Sequence, residues 1–136
     1  QSEKKVDLKL TSKITYISRL EDDYSLAILY SAADLVVVPS RMENLPQMAT
    51  EAQSCGIPVA AFNCTGMPDA IEHLKTGYLA NPYDTVDLAN GISWILGNNE
   101  VKKELGKNAR ERALNLWSEE IIISKYEKIF NKLNQK

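Results

Sequence analysis

The sequence is short of most residues that announce a chemistry by themselves. It has two cysteines, Cys55 and Cys64, which form no CxxC pair and are too few for a disulfide framework. A reduced, cytoplasmic setting is therefore the default expectation. It has one histidine, His73, and no cluster of His, Cys, Asp and Glu at metal-ligand spacing, so no metal and no bound cofactor are expected. It has no excess of positive charge. Sixteen Lys and Arg against 18 Asp and Glu give a formal net charge of -2, and nothing steers the chain toward nucleic acid. No apolar run approaches the roughly 20 residues of a membrane span. The opening stretch QSEKKVDLKL has no hydrophobic signal-peptide core. Repeats and low-complexity segments are absent. What remains is ordinary globular composition, 44% apolar and 25% charged, over 136 residues, which suffices for one domain with a core.

The informative stretch is Pro39 to Pro58, PSRMENLPQMATEAQSCGIP. The apolar run Asp34 to Val38 leads into it and suits a strand buried on both faces. A polar loop with two prolines follows, then a helix from about Pro46 to Cys55, a stop at Gly56, and a second apolar run, Ile57 to Phe62. Strand, loop, helix and strand in so short a space predict a βαβ unit and hence a parallel sheet. On the helix, spacing puts Met48, Ala49, Ala52 and Cys55 on one face and Gln47, Glu51 and Ser54 on the other. In such sheets ligands bind beyond the carboxyl ends of the strands, where helix N-termini present free N–H groups. The loop carrying Glu43 lies there, with Glu51 about one turn into the helix.

Elsewhere, residues 1 to 12 are polar and read as a frayed helix or a linker. Lys13 to Ile17, KITYI, alternates like a strand. Glu21, Asp22 and Asp23 open a helix to about Ala33, with Leu26, Leu29 and Tyr30 at helical spacing. Pro68 suits the first turn of a short helix to about Leu74. Tyr78 to Ala80 is a short extended piece. Asp84, with Asp87 three residues on, resembles a capping box before a helix Thr85 to Leu96, whose inner face is Leu88, Ile92 and Ile95. Glu100 to Trp117 is a helix that carries Gly106 at a cost of about 1 kcal/mol. Ser118 caps a last helix to about Leu133. The expected order is β-α-β-α-β-α-β followed by three helices: an α/β, Rossmann-like parallel sheet flanked by helices, with a helical C-terminus.

Taken alone, Glu43 and Glu51 read as solvated charges, the ordinary state of glutamate. Arg41 reads as a surface partner for Glu43 ahead of a phosphate contact, and His73 as a structural histidine. Cys55 reads as a small buried residue, and Trp94 and Trp117 as packing residues. Lys102, Lys103, Lys107, Arg110 and Arg112, interspersed with Glu104 and Glu111, read as a solvated helix face. Thr65 and Gly66 fit a plain turn.

Four stretches together change that weighting: YSAADLVVVPSRMENLP, EAQSCGIPVAAF, TGMPDAIEH and TGYLANPYDTVDLA. In this order and at this spacing they resemble the C-terminal half of the family 4 retaining glycosyltransferases, which have the GT-B fold. The family signature is a glutamate, seven residues and a second glutamate, which Glu43 and Glu51 match. The resemblance covers roughly residues 13 to 130. It implies a domain that binds a nucleotide-diphosphate sugar, UDP- or GDP-linked, within an enzyme of polysaccharide or lipid-linked glycan synthesis.

By that resemblance Glu51 binds the ribose hydroxyls. Glu43 contacts the donor sugar as the catalytic candidate. Backbone N–H groups at Asn44, Leu45 and Gln47 reach the sugar and diphosphate, Ser18 and Arg19 line the base, and Thr65 and Gly66 correspond to a glycine loop beneath the sugar. The family commonly has glycines where Asn44 and Pro46 stand, and Pro46 offers no N–H.

The family's upstream strands and its acceptor-binding domain have no counterpart here, so the chain is expected to be a fragment, inactive alone. The full enzyme leaves room for peripheral membrane association. The alternatives are a non-catalytic nucleotide-sugar-binding subunit that docks a separate acceptor-binding protein through Ile121, Ile122, Ile123, Tyr126 and Phe130, and an α/β module with a degenerate site.

Overall fold

The computed structural model describes residues 13–134, and the weakly patterned stretch 1–12 lies outside the described residues. Nine elements follow in order. They are α1 (Asp23–Ser31), β1 (Val36–Val38), α2 (Gln47–Ser54), β2 (Val59–Phe62), α3 (Met67–Ala70), β3 (Gly77–Ala80), α4 (Thr85–Leu96), α5 (Asn99–Trp117) and α6 (Glu119–Leu133). The strands form one parallel sheet in the order β1-β2-β3. Val36 pairs with Val59, and Val59 with Gly77.

The strand side chains alternate between two buried layers, as the period of two requires. Val38, Val59, Ala61 and Leu79 pack with Tyr30 of α1, Ala49 and Ala52 of α2 and Met67 and Ala70 of α3. Ala60, Phe62 and Ala80 pack on the opposite face with Leu88 of α4. Both faces of β2 are therefore covered, and all four of its residues are buried. This is the expected α/β architecture, helical C-terminus included.

The caps explain the boundaries. Asp22 accepts the N–H of Ser25 at 2.7 Å, Asp84 those of Val86 and Asp87, and Asn98 those of Glu100 and Val101. Asp87 does not complete a capping box. Its carboxylate accepts instead from the Tyr78 hydroxyl and the Asn81 N–H, each at 2.7 Å. Helix α2 ends in a Schellman turn: Ile57 N–H reaches Ala52 O, Gly56 N–H reaches Gln53 O, and Gly56 has φ of 76°.

Helix α5 crosses this turn so closely that a Cβ on Gly106 would stand 2.3 Å from the Gly56 carbonyl. The residue that costs helix propensity is the one that lets the two backbones meet.

Several expectations are corrected. Lys13–Ile17 forms no strand, and all five residues are exposed. A strand needs a neighbour for its N–H and C=O groups, and this segment pairs with neither edge of the sheet, which among the described residues has three strands rather than four. The helix at Pro68 stops at Ala70 rather than Leu74, where Leu74 takes φ of 61° in the turn into β3. On α2, Met48 is 51% exposed, and Gln53 replaces it in the core. The Gln53 amide donates to Ala49 O at 3.2 Å and Ala70 O at 2.9 Å, which ties α2 to α3.

The basic face of α5 is not simply solvated. Lys102 pairs with Asp34 at 2.6 Å, Arg110 donates to Ser54 O at the C-terminal end of α2, and Arg112 donates to the Asp69 and Ala70 carbonyls. Cations suit helix C-termini, where carbonyls lack intrahelical partners.

Candidate functional site

The loop between β1 and α2 leaves the sheet at the carboxyl end of β1, as the parallel topology dictates. Val38, Glu43, Asn44, Leu45, Pro46, Gln47 and Met48 line an open cleft of about 460 Å³ there. The start of α2 belongs to this cleft. Its cap, Pro46, makes no side-chain bond to the first turn, and the first N–H groups of a helix have no intrahelical acceptor. The cleft thus joins a carboxylate to a helix N-terminus, which suits a polyhydroxylated anion: the carboxylate accepts hydroxyl protons, and the N–H groups favour phosphate.

The loop is held from below by the turn after β2. The Glu43 N–H donates to Thr65 Oγ1 at 3.0 Å, and the Gly66 N–H donates to Glu43 O at 2.9 Å. A Cβ on Gly66 would lie 1.4 Å from the Asn44 carbonyl, so the contact needs glycine. Thr65 takes φ of 49°, a strained value for a β-branched residue that persists where surrounding contacts enforce it. The Cys64 thiol lies 3.6 Å from Arg41 O and 3.8 Å from Ser40 O. Arg41 makes no pair with Glu43. Its guanidinium sits 5.5 Å over the Tyr83 ring, which in turn packs on Phe62.

Glu51 faces a different depression. A groove of about 320 Å³ between α1 and α2 is lined by Asp23, Tyr30, Thr50, Glu51 and Ser54, with Trp117 of α5. The two depressions share no lining residue. The structure therefore brings Glu43, Asn44, Leu45 and Gln47 around one cleft and sets Glu51 one turn further along α2, on the neighbouring one. In the groove the Tyr30 hydroxyl donates to Glu51 Oε2 at 2.9 Å. Burial of the phenol, with the Glu51 carboxylate beside it, pushes its pKa up to about 12.

Ser18 and Arg19 are exposed, lie in the segment without regular structure, and line neither depression. His73 is structural: its Nδ1 accepts the Leu79 N–H at 3.0 Å, and its ring meets Tyr78 edge-on. Trp117 packs against the core beneath Arg112, whereas Trp94 is 39% exposed and leans on Tyr78. Cys55 is half-buried.

Two groups escape the sequence. Tyr30 is visible there only as an inward-facing position of α1, and its signal is that of a buried tyrosine, which needs a partner for its hydroxyl. Tyr83, which carries Arg41, gives no signal. Among the described residues no helix is long and apolar enough to cross a membrane, and no three His, Cys, Asp or Glu side chains gather as metal ligands. Helix α6 buries none of its residues and exposes Ile123, Tyr126, Ile129 and Phe130.

Comparison with known proteins gives a consistent result. Residues 2–112 match the family described as glycosyl transferases group 1. N-acetyl-alpha-D-glucosaminyl L-malate synthase of Bacillus anthracis is 28% identical over 124 residues, 91% of this chain and 32% of that protein. Sucrose-phosphate synthase of Thermosynechococcus elongatus superposes with a TM-score of 0.82 at 36% identity, over 89% of this chain and 30% of that one. Anabaena Alr3699/HepE in complex with UDP superposes with a TM-score of 0.70 at 27% identity, over 79% of this chain and 29% of that one. The chain thus spans about a third of the length of these proteins.

Proposed function

The chain belongs to the group 1 glycosyl transferases of GT-B type, and from that premise we propose that it is the donor-binding part of an enzyme that moves a sugar from a nucleotide-diphosphate sugar to a glycan or lipid-linked acceptor with retention. The observation that carries this reading is the cleft at the start of α2. Glu43, the loop backbone and the free first-turn N–H groups meet there at the carboxyl end of a parallel strand. A sugar diphosphate offers the matching groups, hydroxyl donors at one end and anionic oxygens at the other.

In this reading Glu43 accepts from hydroxyls of the donor sugar. The N–H groups of Asn44, Leu45 and Gln47 receive the sugar and diphosphate and stabilise the charge that grows on the leaving phosphate. Glu51, one turn along, accepts from the ribose. The complex of the Anabaena relative with UDP supports a uridine nucleotide as the first donor to try. Transfer itself requires the acceptor-binding part, so the 136-residue chain should bind but not catalyse.

The test is ligand-detected NMR with UDP, GDP, ADP and their sugars on wild type and Glu51→Ala. Saturation transfer to ribose protons in wild type, lost in Glu51→Ala, is the expected result. Equal transfer in both would remove Glu51 from the site. Sugar transfer by the chain alone would overturn the donor-only role.

A further inference from the structure

We propose that Tyr30 is a positioning residue for Glu51, and that it sets how strongly the site tells ribose from deoxyribose. The inference rests on the donor-site reading above. Its own ground is geometric. Glu51 is a flexible side chain on the side of α2, half-buried at the groove. Tyr30 is the opposite: it is 7% exposed and belongs to the main core cluster, together with residues of the sheet, α2 and α3. Its hydroxyl reaches Glu51 Oε2 at 2.9 Å across 21 residues of sequence. A donor anchored in the core thus fixes one carboxylate oxygen. Among the described residues Oε1 has no protein partner, so it stays free to accept a ligand hydroxyl.

The chemistry follows from that division. A carboxylate that must first be ordered loses rotamer entropy when ligand binds, and long side chains lose the most. Tyr30 removes that cost before the ligand arrives. A phenol is in its donor form at every ordinary pH, and burial, with the Glu51 carboxylate beside it, pushes this one further up, to about 12. A glutamate fixed in this way rewards a hydroxyl in one place. It leaves an analogue without that hydroxyl facing an unpaired acceptor.

The experiment measures affinities of wild type, Tyr30→Phe, Glu51→Ala and the double variant. Each is titrated with UDP (with GDP or ADP where that base binds instead) and with its 2′-deoxy and 3′-deoxy forms. Tyr30→Phe should weaken the ribonucleotide about fivefold, the worth of one ordinary hydrogen bond. It should barely change the deoxy form that already lacks the contact, so discrimination shrinks. In the Glu51→Ala background the same change should do nothing, which separates positioning from general loosening of the core.

Binding with full discrimination in Tyr30→Phe, or an equal loss with and without Glu51, overturns the inference alone. A wild-type chain that binds none of the three nucleotides overturns the donor-site reading and the inference with it. A second measurement leaves Tyr30 in place. In Glu51→Ala the phenol loses its acceptor, and its titration, read as the tyrosinate absorbance missing from the matching Tyr30→Phe variant, should fall from about 12 part of the way to the ordinary 10.0, burial holding the rest. An unchanged titration means that the two side chains do not interact.

Discussion

The two glutamates sit on neighbouring depressions and are held by opposite means. Glu43 is fixed through its backbone: its N–H and its C=O are both engaged by the Thr65–Gly66 turn, and its side chain stays free. Glu51 is fixed through its side chain, by one hydroxyl, on a helix whose backbone needs no help. A loop has many backbone conformations to lose, so it requires main-chain contacts before any side chain on it can be aimed. A helical residue already has its Cα and Cβ placed, and only its rotamers remain to be chosen. The Glu43 cleft should therefore fail as a unit when its support is disturbed, and the Glu51 groove should fail gradually.

The severest test of that contrast is Gly66→Ala. The added methyl would stand 1.4 Å from Asn44 O and 3.0 Å from Glu43 O, both backbone atoms that cannot swing aside. The turn and the loop must separate, and both bonds to Glu43 go with them. Loss of about 3 kcal/mol or more is expected, at the upper end for overpacking. It should appear in urea unfolding together with loss of the sugar-dependent part of donor affinity. A wild-type unfolding curve for Gly66→Ala would mean that the clamp does not hold the loop.

How much of this is legible in the sequence depends on whether a feature is local. The helices are legible because apolar spacing and the caps at Asp22 and Asp84 lie within a turn of what they control. Strands β1 and β2 are legible as apolar runs too rich to face water. The KITYI alternation misleads because it reports only that a strand would be amphipathic there, while existence of the strand depends on a neighbour that alternation cannot name.

The same limit hides Gln53. A glutamine at 0% exposure makes sense only beside the Ala70 carbonyl, 17 residues away. It hides the engagement of Arg112 too, since its acceptors lie 42 and 43 residues earlier. At the site, the spacing of Glu43 and Glu51 is legible, but their division between two depressions is not. It depends on α1 packing beside α2, which brings Tyr30, 21 residues earlier, to Glu51.

A gentler test lies in alkali, where only one of the two devices titrates. The phenol of Tyr30 has its pKa raised in the fold from 10.0 to about 12. A raised value on an acid means that the neutral form is the one stabilised. The contribution is therefore whole below pH 10 and is lost as pH climbs from 10 to 12. The thermal midpoint of wild type should fall more steeply over that window than that of Tyr30→Phe, which has no such proton to lose. The two curves should converge near the top of the window. Parallel curves would place the Tyr30 hydroxyl in water, away from Glu51. No group in the Thr65–Gly66 clamp titrates in that range, so Gly66→Ala should leave the alkaline slope as in wild type.

The smallest effect should come from Thr65→Val, and it separates the two devices most finely. Valine keeps the β-branched shape at φ of 49°, so backbone strain is the same and only the hydroxyl is lost. The Glu43 N–H then loses its acceptor. It lies in a partly exposed loop where water can replace the hydroxyl, which limits the loss of stability to about 1 kcal/mol or less. The second clamp bond, Gly66 N–H to Glu43 O, survives. The loop should stay closed with its Glu43 end loosened. In the donor-site reading, affinity for a nucleotide sugar should fall most, because Glu43 is assigned to the sugar, and affinity for the bare nucleotide, whose ribose is assigned to Glu51, should fall less. Thr65→Ser restores the acceptor without the methyl and should recover the sugar-dependent part. An equal loss for nucleotide sugar and bare nucleotide in Thr65→Val, measured by calorimetric titration, would mean that cleft and groove fail together and that the contrast between them is false.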